Sequence, residues 1–147
     1  VTRAALRGRE AYRAWRAIGT RWADNDAYGH VNNVVYYAWF DTAVNAWLIE
    51  AGLLDVLAGD PVGLVVETGS RYAHPLAYPQ DVEVGLAVER LGTSSVRYRL
   101  GVFAKGEAEA AAEGFFVHVY VDRETRRPVP LPQAWRENLA ELCLPAA

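Results

Sequence analysis

Asp24-Asn25-Asp26-Ala27-Tyr28-Gly29-His30-Val31-Asn32-Asn33 runs without a break into an apolar segment, Val34 to Ala51, and that junction decides how the chain is read. The stretch packs two carboxylates, an imidazole and several side-chain amides into one short turn. A helix that starts directly behind such a turn brings unpaired backbone N–H groups beside the carboxylates, an arrangement able to polarise a carbonyl oxygen. The helix itself is expected from about Asn33 to Ala51, closed by Gly52. Its apolar residues (Val34, Val35, Tyr37, Ala38, Phe40, Val44, Trp47, Leu48, Ala51) cover more than one stripe, which predicts a largely enclosed helix.

Working outward, Ala14 to Trp22 reads as a first strand ahead of the turn. Beyond Pro61 the period changes from helical to alternating. Leu64, Val66, Thr68, Ser70 and Tyr72 are expected on one face, with Val65, Glu67, Gly69 and Arg71 on the other. Val82, Val84, Leu86 and Val88 alternate with Asp81, Glu83, Gly85 and Ala87. Leu91-Gly92-Thr93-Ser94 predicts a hairpin into Ser95 to Ala104, and Lys105-Gly106-Glu107 a second turn. The strand from Gly114 to Val121 is apolar on both faces, which predicts an interior position in the sheet. Pro128, Pro130 and Pro132 end the sheet, and Trp135 to Leu142 predicts a short terminal helix. One strand, one long helix and four further strands bury their apolar sets most simply as an antiparallel sheet wrapped around the helix, an α+β fold.

The chain has 147 residues, enough for a single domain (1–147, core about 15–135), with 52% apolar and 22% charged residues and a formal charge of -3. That balance excludes broad disorder and offers no overall basic field for nucleic acid or an anionic membrane. No stretch approaches the ~20 apolar residues of a membrane span. The arginine-rich stretch Val1 to Glu10 lacks a secretory core, and without an initiator Met the numbering is read as starting inside a longer frame. The single cysteine, Cys143, suits a reducing compartment, so a cytoplasmic location is expected. Histidines and cysteines lack metal-ligand spacing, so no metal is expected. Ser70, Ser94 and Ser95 lack the Gly-x-Ser-x-Gly setting of a hydrolase nucleophile.

Several residues have a structural reading beside a chemical one. Asp26 can cap backbone N–H groups or act on a substrate. Asp24, at the head of the turn, is read as an acceptor for turn hydrogen bonds. His30 can orient Asp26, assist proton transfer or brace the loop. Asn32 and Asn33 are first of all helix-capping residues, and Gly29 relieves a backbone conformation that another residue would strain. His74 and His118 are placed on strands. Arg71, Arg90, Arg97 and Arg99 are solvated strand positions or contacts to phosphate.

The run Arg21 to Asn33, followed by Tyr36 and Phe40-Asp41, resembles hotdog-fold thioesterases of the 4-hydroxybenzoyl-CoA thioesterase-like group. Gly92-Thr93-Ser94-Ser95 and Arg127-Pro128-Val129-Pro130 match a hairpin and a chain exit of the same group, so the likeness spans about residues 15 to 135. It implies hydrolysis of an acyl thioester of coenzyme A or of acyl carrier protein, without metal or separate cofactor. It also implies a homodimer, assembling into a tetramer, with sites built between subunits. Asp26 matches the catalytic carboxylate, as nucleophile or as general base, with His30 and Asn33 assisting. Tyr28, Gly29, Val31, Asn32, Tyr36, Tyr37 and Phe40 are the expected substrate contacts. The turn also resembles plant acyl-carrier-protein thioesterases, but Tyr28 occupies the position of their Asn. A second group of hotdog thioesterases carries its carboxylate on the helix, which makes Asp41 the alternative. A hotdog hydratase or dehydratase, and a non-catalytic acyl-CoA-binding protein, are the rival readings.

Overall fold

The computed structural model describes residues 5–144. Its elements are β1 (Ala14–Gly19), α1 (Asn33–Glu50), β2 (Val62–Tyr72), β3 (Asp81–Leu91), β4 (Ser95–Ala104), β5 (Ala112–Val121) and α2 (Gln133–Ala140). The five strands form one antiparallel sheet in the order β1-β3-β4-β5-β2, with α1 packed on one face. The β3–β4 hairpin closes through the Gly92 N–H to the Ser95 carbonyl at 2.8 Å, and the β4–β5 turn places Gly106 at φ 79°. Only a residue without a Cβ adopts that left-handed backbone at no steric cost.

Val82, Val84, Leu86 and Val88 of β3, with Val96, Tyr98, Leu100 and Val102 of β4, are all buried against α1 and α2 as their alternation predicts. β5 is an inner strand, also as expected. The helix is less enclosed than its composition suggests. Tyr36, Trp39, Phe40, Ala43, Val44 and Leu48 form a single buried stripe, while Val34 and Ile49 stay exposed on the far side. The spacing of three and four residues selects that stripe. The sheet covers one side of the helix and leaves the other to solvent. Gly52 does end the helix: at φ 76° it lets the Leu53 N–H reach the Leu48 carbonyl at 2.9 Å.

Four other expectations need correction. β1 ends at Gly19, and Trp22–Asp24 is a turn of 3-10 helix instead of strand. The side-to-side pattern proposed for β2 does not hold along its length, because a bulge between Val65 and Glu67 inserts one residue and exchanges the faces. Val65 stands opposite the inward-facing His118, whereas beyond the bulge Thr68 stands opposite the inward-facing Phe116. His74 lies just past β2, not on it. The terminal helix begins at Gln133, two residues earlier than expected, directly after the N-cap Pro132.

Candidate active site

The turn from Asp24 to Asn32 is a compact hairpin held almost wholly by its own backbone. The Asp26 N–H donates to the His30 carbonyl at 2.8 Å, the Gly29 N–H to the Asp26 carbonyl at 3.1 Å, and the Asn32 N–H to the Asp24 carbonyl at 2.9 Å. Gly29, at φ 83°, supplies the left-handed residue that lets the loop close. Asp24 anchors its base. Buried to 1% exposure, it accepts from the Arg21 backbone N–H at 2.7 Å and from the Arg21 Nε and Nη2 at 2.9 and 2.7 Å. The loop is tied to the rest of the molecule by the Val31 N–H on the Leu76 carbonyl (2.7 Å) and the Tyr78 N–H on Asn25 Oδ1 (3.0 Å).

Within that frame the Asp26 side chain bonds back to its own loop. Its Oδ1 accepts from the Tyr28 N–H at 2.8 Å, an Asx turn, so the structural reading of this carboxylate is realised. The same bond holds the carboxylate beside an open pocket of about 430 Å³, which Asp26 borders. Tyr28, His30, Val31, Asn33 and Tyr36 line it from the loop and the first turn of α1. Asn32 caps the helix by accepting from the Val34 N–H at 3.1 Å, and its carbonyl takes the Val35 N–H at 2.9 Å. Asn33 is therefore the first helical residue, with its carbonyl accepting from the Tyr72 hydroxyl at 3.3 Å. Tyr36 is buried; desolvation pushes its phenol up to about 12, so at neutral pH it stays a neutral donor. Its ring meets Tyr72 and Trp39 edge-on, each at 5.0 Å.

Of the residues expected to touch substrate, four do not line this pocket. Phe40 has no exposed surface, packs edge-on against Phe116 at 5.9 Å and is core. Tyr37 is half-buried against Phe40. Gly29 and Asn32 shape the loop and cap the helix. Asp41 is exposed two turns along, where its Oδ1 accepts from Asn45 Nδ2 at 3.0 Å, away from the pocket. The far wall comes instead from Tyr72, Ala73, His74 and Pro75, at the end of β2. That wall was not expected from the sequence. Nothing local marks it; the sheet topology brings it there. Arg97 and Arg99 are not simply solvated: both donate to Glu89, at 2.9 and 3.0 Å. No cluster of metal-ligating side chains occurs among the described residues. No described helix is long and apolar enough to cross a membrane.

An antiparallel sheet on a central helix, with a carboxylate-bearing turn at the helix start, is the architecture of hotdog thioesterases. The chain belongs to the Thioesterase-like superfamily, whose family model matches residues 20–139. It is 54% identical to the PA5185 protein of Pseudomonas aeruginosa strain PAO1, over 95% of this chain and 98% of that one, with a TM-score of 0.92. It is 30% identical to PA2801, a candidate thioesterase of the same species, over 86% and 97% of the two chains at a TM-score of 0.80. Slr0204 of Synechocystis, a 1,4-dihydroxy-2-naphthoyl-CoA thioesterase, shares the fold at 20% identity, over 87% and 96% of the chains, with a TM-score of 0.78. Among curated proteins, none matches this sequence.

Proposed function

We propose that this protein hydrolyses an acyl thioester, with Asp26 as the acting carboxylate. The observation that carries the reading is the Asx turn that holds Asp26 at the rim of a pocket opening on the start of α1. The thioester carbonyl sits at Asn33, whose backbone N–H precedes the two amides already taken by the Asn32 cap. An N–H at that position meets negative charge as it develops on the carbonyl oxygen. Asp26 acts in one of two balanced ways. As nucleophile, its oxygen bonds to the carbonyl carbon, the carbon–sulfur bond breaks, and water then hydrolyses the mixed anhydride. As general base, it takes a proton from water while the water oxygen attacks the same carbon, and the carbon–sulfur bond then breaks to give the acid and the thiolate. Either way the thiolate is a good leaving group and asks little of a general acid. His30, exposed on the pocket wall, relays the proton from the carboxyl to solvent.

The working unit is a homodimer. β2 is an 11-residue edge strand with Leu64, Val65 and Val66 at 40, 47 and 60% exposure, a row of apolar side chains and unpaired backbone that a second copy would cover. The test is thiol release from short, long and aromatic acyl-CoAs by the wild type and by Asp26→Asn, with size-exclusion of both. Turnover is expected to fall by about 10²-fold or more while the dimer persists. Equal rates in the two proteins would remove Asp26 from the chemistry.

A further inference from the structure

β2 carries two opposite charges on one side of its free edge. Glu67 stands opposite Val117 and Arg71 opposite Glu113. Both lie on the face of the sheet away from α1, because Phe116, the neighbour of Val117, turns inward to Phe40. Neither charge is settled within its own chain. Glu67 is exposed and has no ion pair or hydrogen bond among the described residues. Arg71 pairs with Glu113, but that buried carboxylate also takes Arg7 at 3.5 Å, so one guanidinium charge is left over. The residues between them are already satisfied. Thr68 and Ser70 donate back to the Phe115 and Glu113 carbonyls at 2.8 and 3.3 Å, and the Phe115 ring lies 2.8 Å from where a Cβ on Gly69 would stand.

A second copy that adds its own β2 to this edge about a two-fold axis sets residue i opposite j and, equally, j opposite i. Opposed residues share a face, so along the regular stretch from Glu67 to Tyr72 the axis passes through a residue and never between two. An axis at Glu67 or at Arg71 puts like charges face to face, which is destabilising. An axis at Thr68 or Ser70 leaves both charges opposite Gly69, Val65 or Ala73. An axis at Gly69 sets each Glu67 against the partner's Arg71, twice over. The bulge gives that register a further consequence. Val65 and Val66 fall opposite the partner's Tyr72, because a bulge sets two residues against one. Tyr72 turns inward to Tyr36 and, with Ala73, lines the pocket at Asp26, so exposed valines of one copy reach the edge of the other's pocket.

We propose that two copies join β2 to β2 about an axis at Gly69, each Glu67 meeting the partner's Arg71, and that Val65 and Val66 of each copy extend the partner's pocket wall at Tyr72. This rests on the homodimer reading and takes it further, by fixing the register and naming what one copy lends the other. The lent side chains are apolar and suit the acyl part of a thioester. The ion pairs are exposed and contribute little to affinity. Their effect is on alignment: moving the axis by one residue loses both pairs and carries the valines away from Tyr72.

The experiment is disulfide cross-linking of the full chain with its single cysteine replaced (Cys143→Ser), beside size-exclusion of the wild type. Opposed residues lie about 4.5–5.5 Å apart at Cα, within disulfide reach, whereas diagonal ones lie about 7–8 Å apart, beyond it. A residue on the axis bridges to itself; a residue off it needs its complement. Glu67→Cys with Arg71→Cys, and Thr68→Cys with Ser70→Cys, should each give a covalent dimer, and each of the four single variants about tenfold less of it. The second pair leaves the Arg71–Glu113 contact in place, so loss of that contact cannot explain both results. Val65→Cys with Tyr72→Cys should cross-link as well. Glu67→Lys should weaken the dimer about tenfold at low salt and less at high salt. A single variant that cross-links as well as its pair would move the axis and overturn the register, leaving the homodimer; a monomeric wild type would overturn both. An undiminished dimer in Glu67→Lys would remove the ion pairs, and failure of the third pair alone would remove the partner's share of the pocket. Thiol release enters none of these readouts, so the hydrolase reading stands or falls separately.

Discussion

Acidification should unfold this protein partly through one side chain, His118. It stands on β5 at 2% exposure, enclosed by Tyr98, Phe116 and Tyr120 at ring distances of 5.4 to 5.8 Å. Nδ1 lies 3.3 Å from the Tyr120 hydroxyl, which in turn pairs with the Tyr98 hydroxyl at 2.6 Å; Nε2 finds no hydrogen-bond partner among the described residues. Burial without a counter-charge lowers the imidazole from 6.5 to about 4. The unfolded chain therefore takes up this proton near pH 6.5, whereas the folded chain resists it until about pH 4, so falling pH favours unfolding across that window. Linkage between those two values gives a loss of about 2 kcal/mol at pH 5 and about 3 kcal/mol at pH 4, relative to neutral pH. The assay is urea denaturation of the wild type and of His118→Phe at pH 7, 5 and 4. Buried carboxylates such as Asp24 and Glu113 are common to both proteins, so the difference between them isolates His118. The phenylalanine variant should lose about 3 kcal/mol less between pH 7 and pH 4. Parallel pH profiles for the two proteins would refute the argument.

Two substitutions probe the frame around the site. Asn32→Ala removes the acceptor of the Val34 N–H and should cost about 1 kcal/mol in urea unfolding. Asn32→Asp should restore most of it, since a carboxylate accepts the same bond and suits the helix start. Gly114→Ala places a Cβ 2.4 Å from the Gly69 carbonyl oxygen and 2.5 Å from the Phe40 ring. Neither the neighbouring strand nor the buried ring can yield freely, so about 1–3 kcal/mol of stability should be lost, read by thermal or urea melts.

Much of this site was legible from neighbouring residues. The turn at Asp26, the left-handed glycine at position 29, the cap at Asn32 and the stop at Gly52 are all local events. A side chain meets its own backbone there, within a few residues, whatever the rest of the chain does. The alternation of β3 and β4 was equally direct, because both pack one face on the core. β2 was misread because its alternation breaks at a bulge, and an inserted residue leaves no mark in an apolar sequence. Phe40 lies in the core instead of on the pocket, which the sequence could not tell for a related reason. Being aromatic and near the motif suits a substrate wall and a core residue alike, and only the packing against Phe116 and Gly114 separates them.

Short-range chemistry thus settled the fold class, the turn and the helix that together carry Asp26. What faces that carboxylate was settled by register. The order β1-β3-β4-β5-β2 brings the end of β2 to the helix start, which puts His74 on the same pocket as His30. The same register sets Arg7 and Glu113, 106 residues apart, in one network with Arg71 and Arg97. Contacts of that span follow from how strands pair and where a bulge falls. The energy that selects them is summed over the whole sheet, and no single stretch of sequence carries enough of it to be read alone.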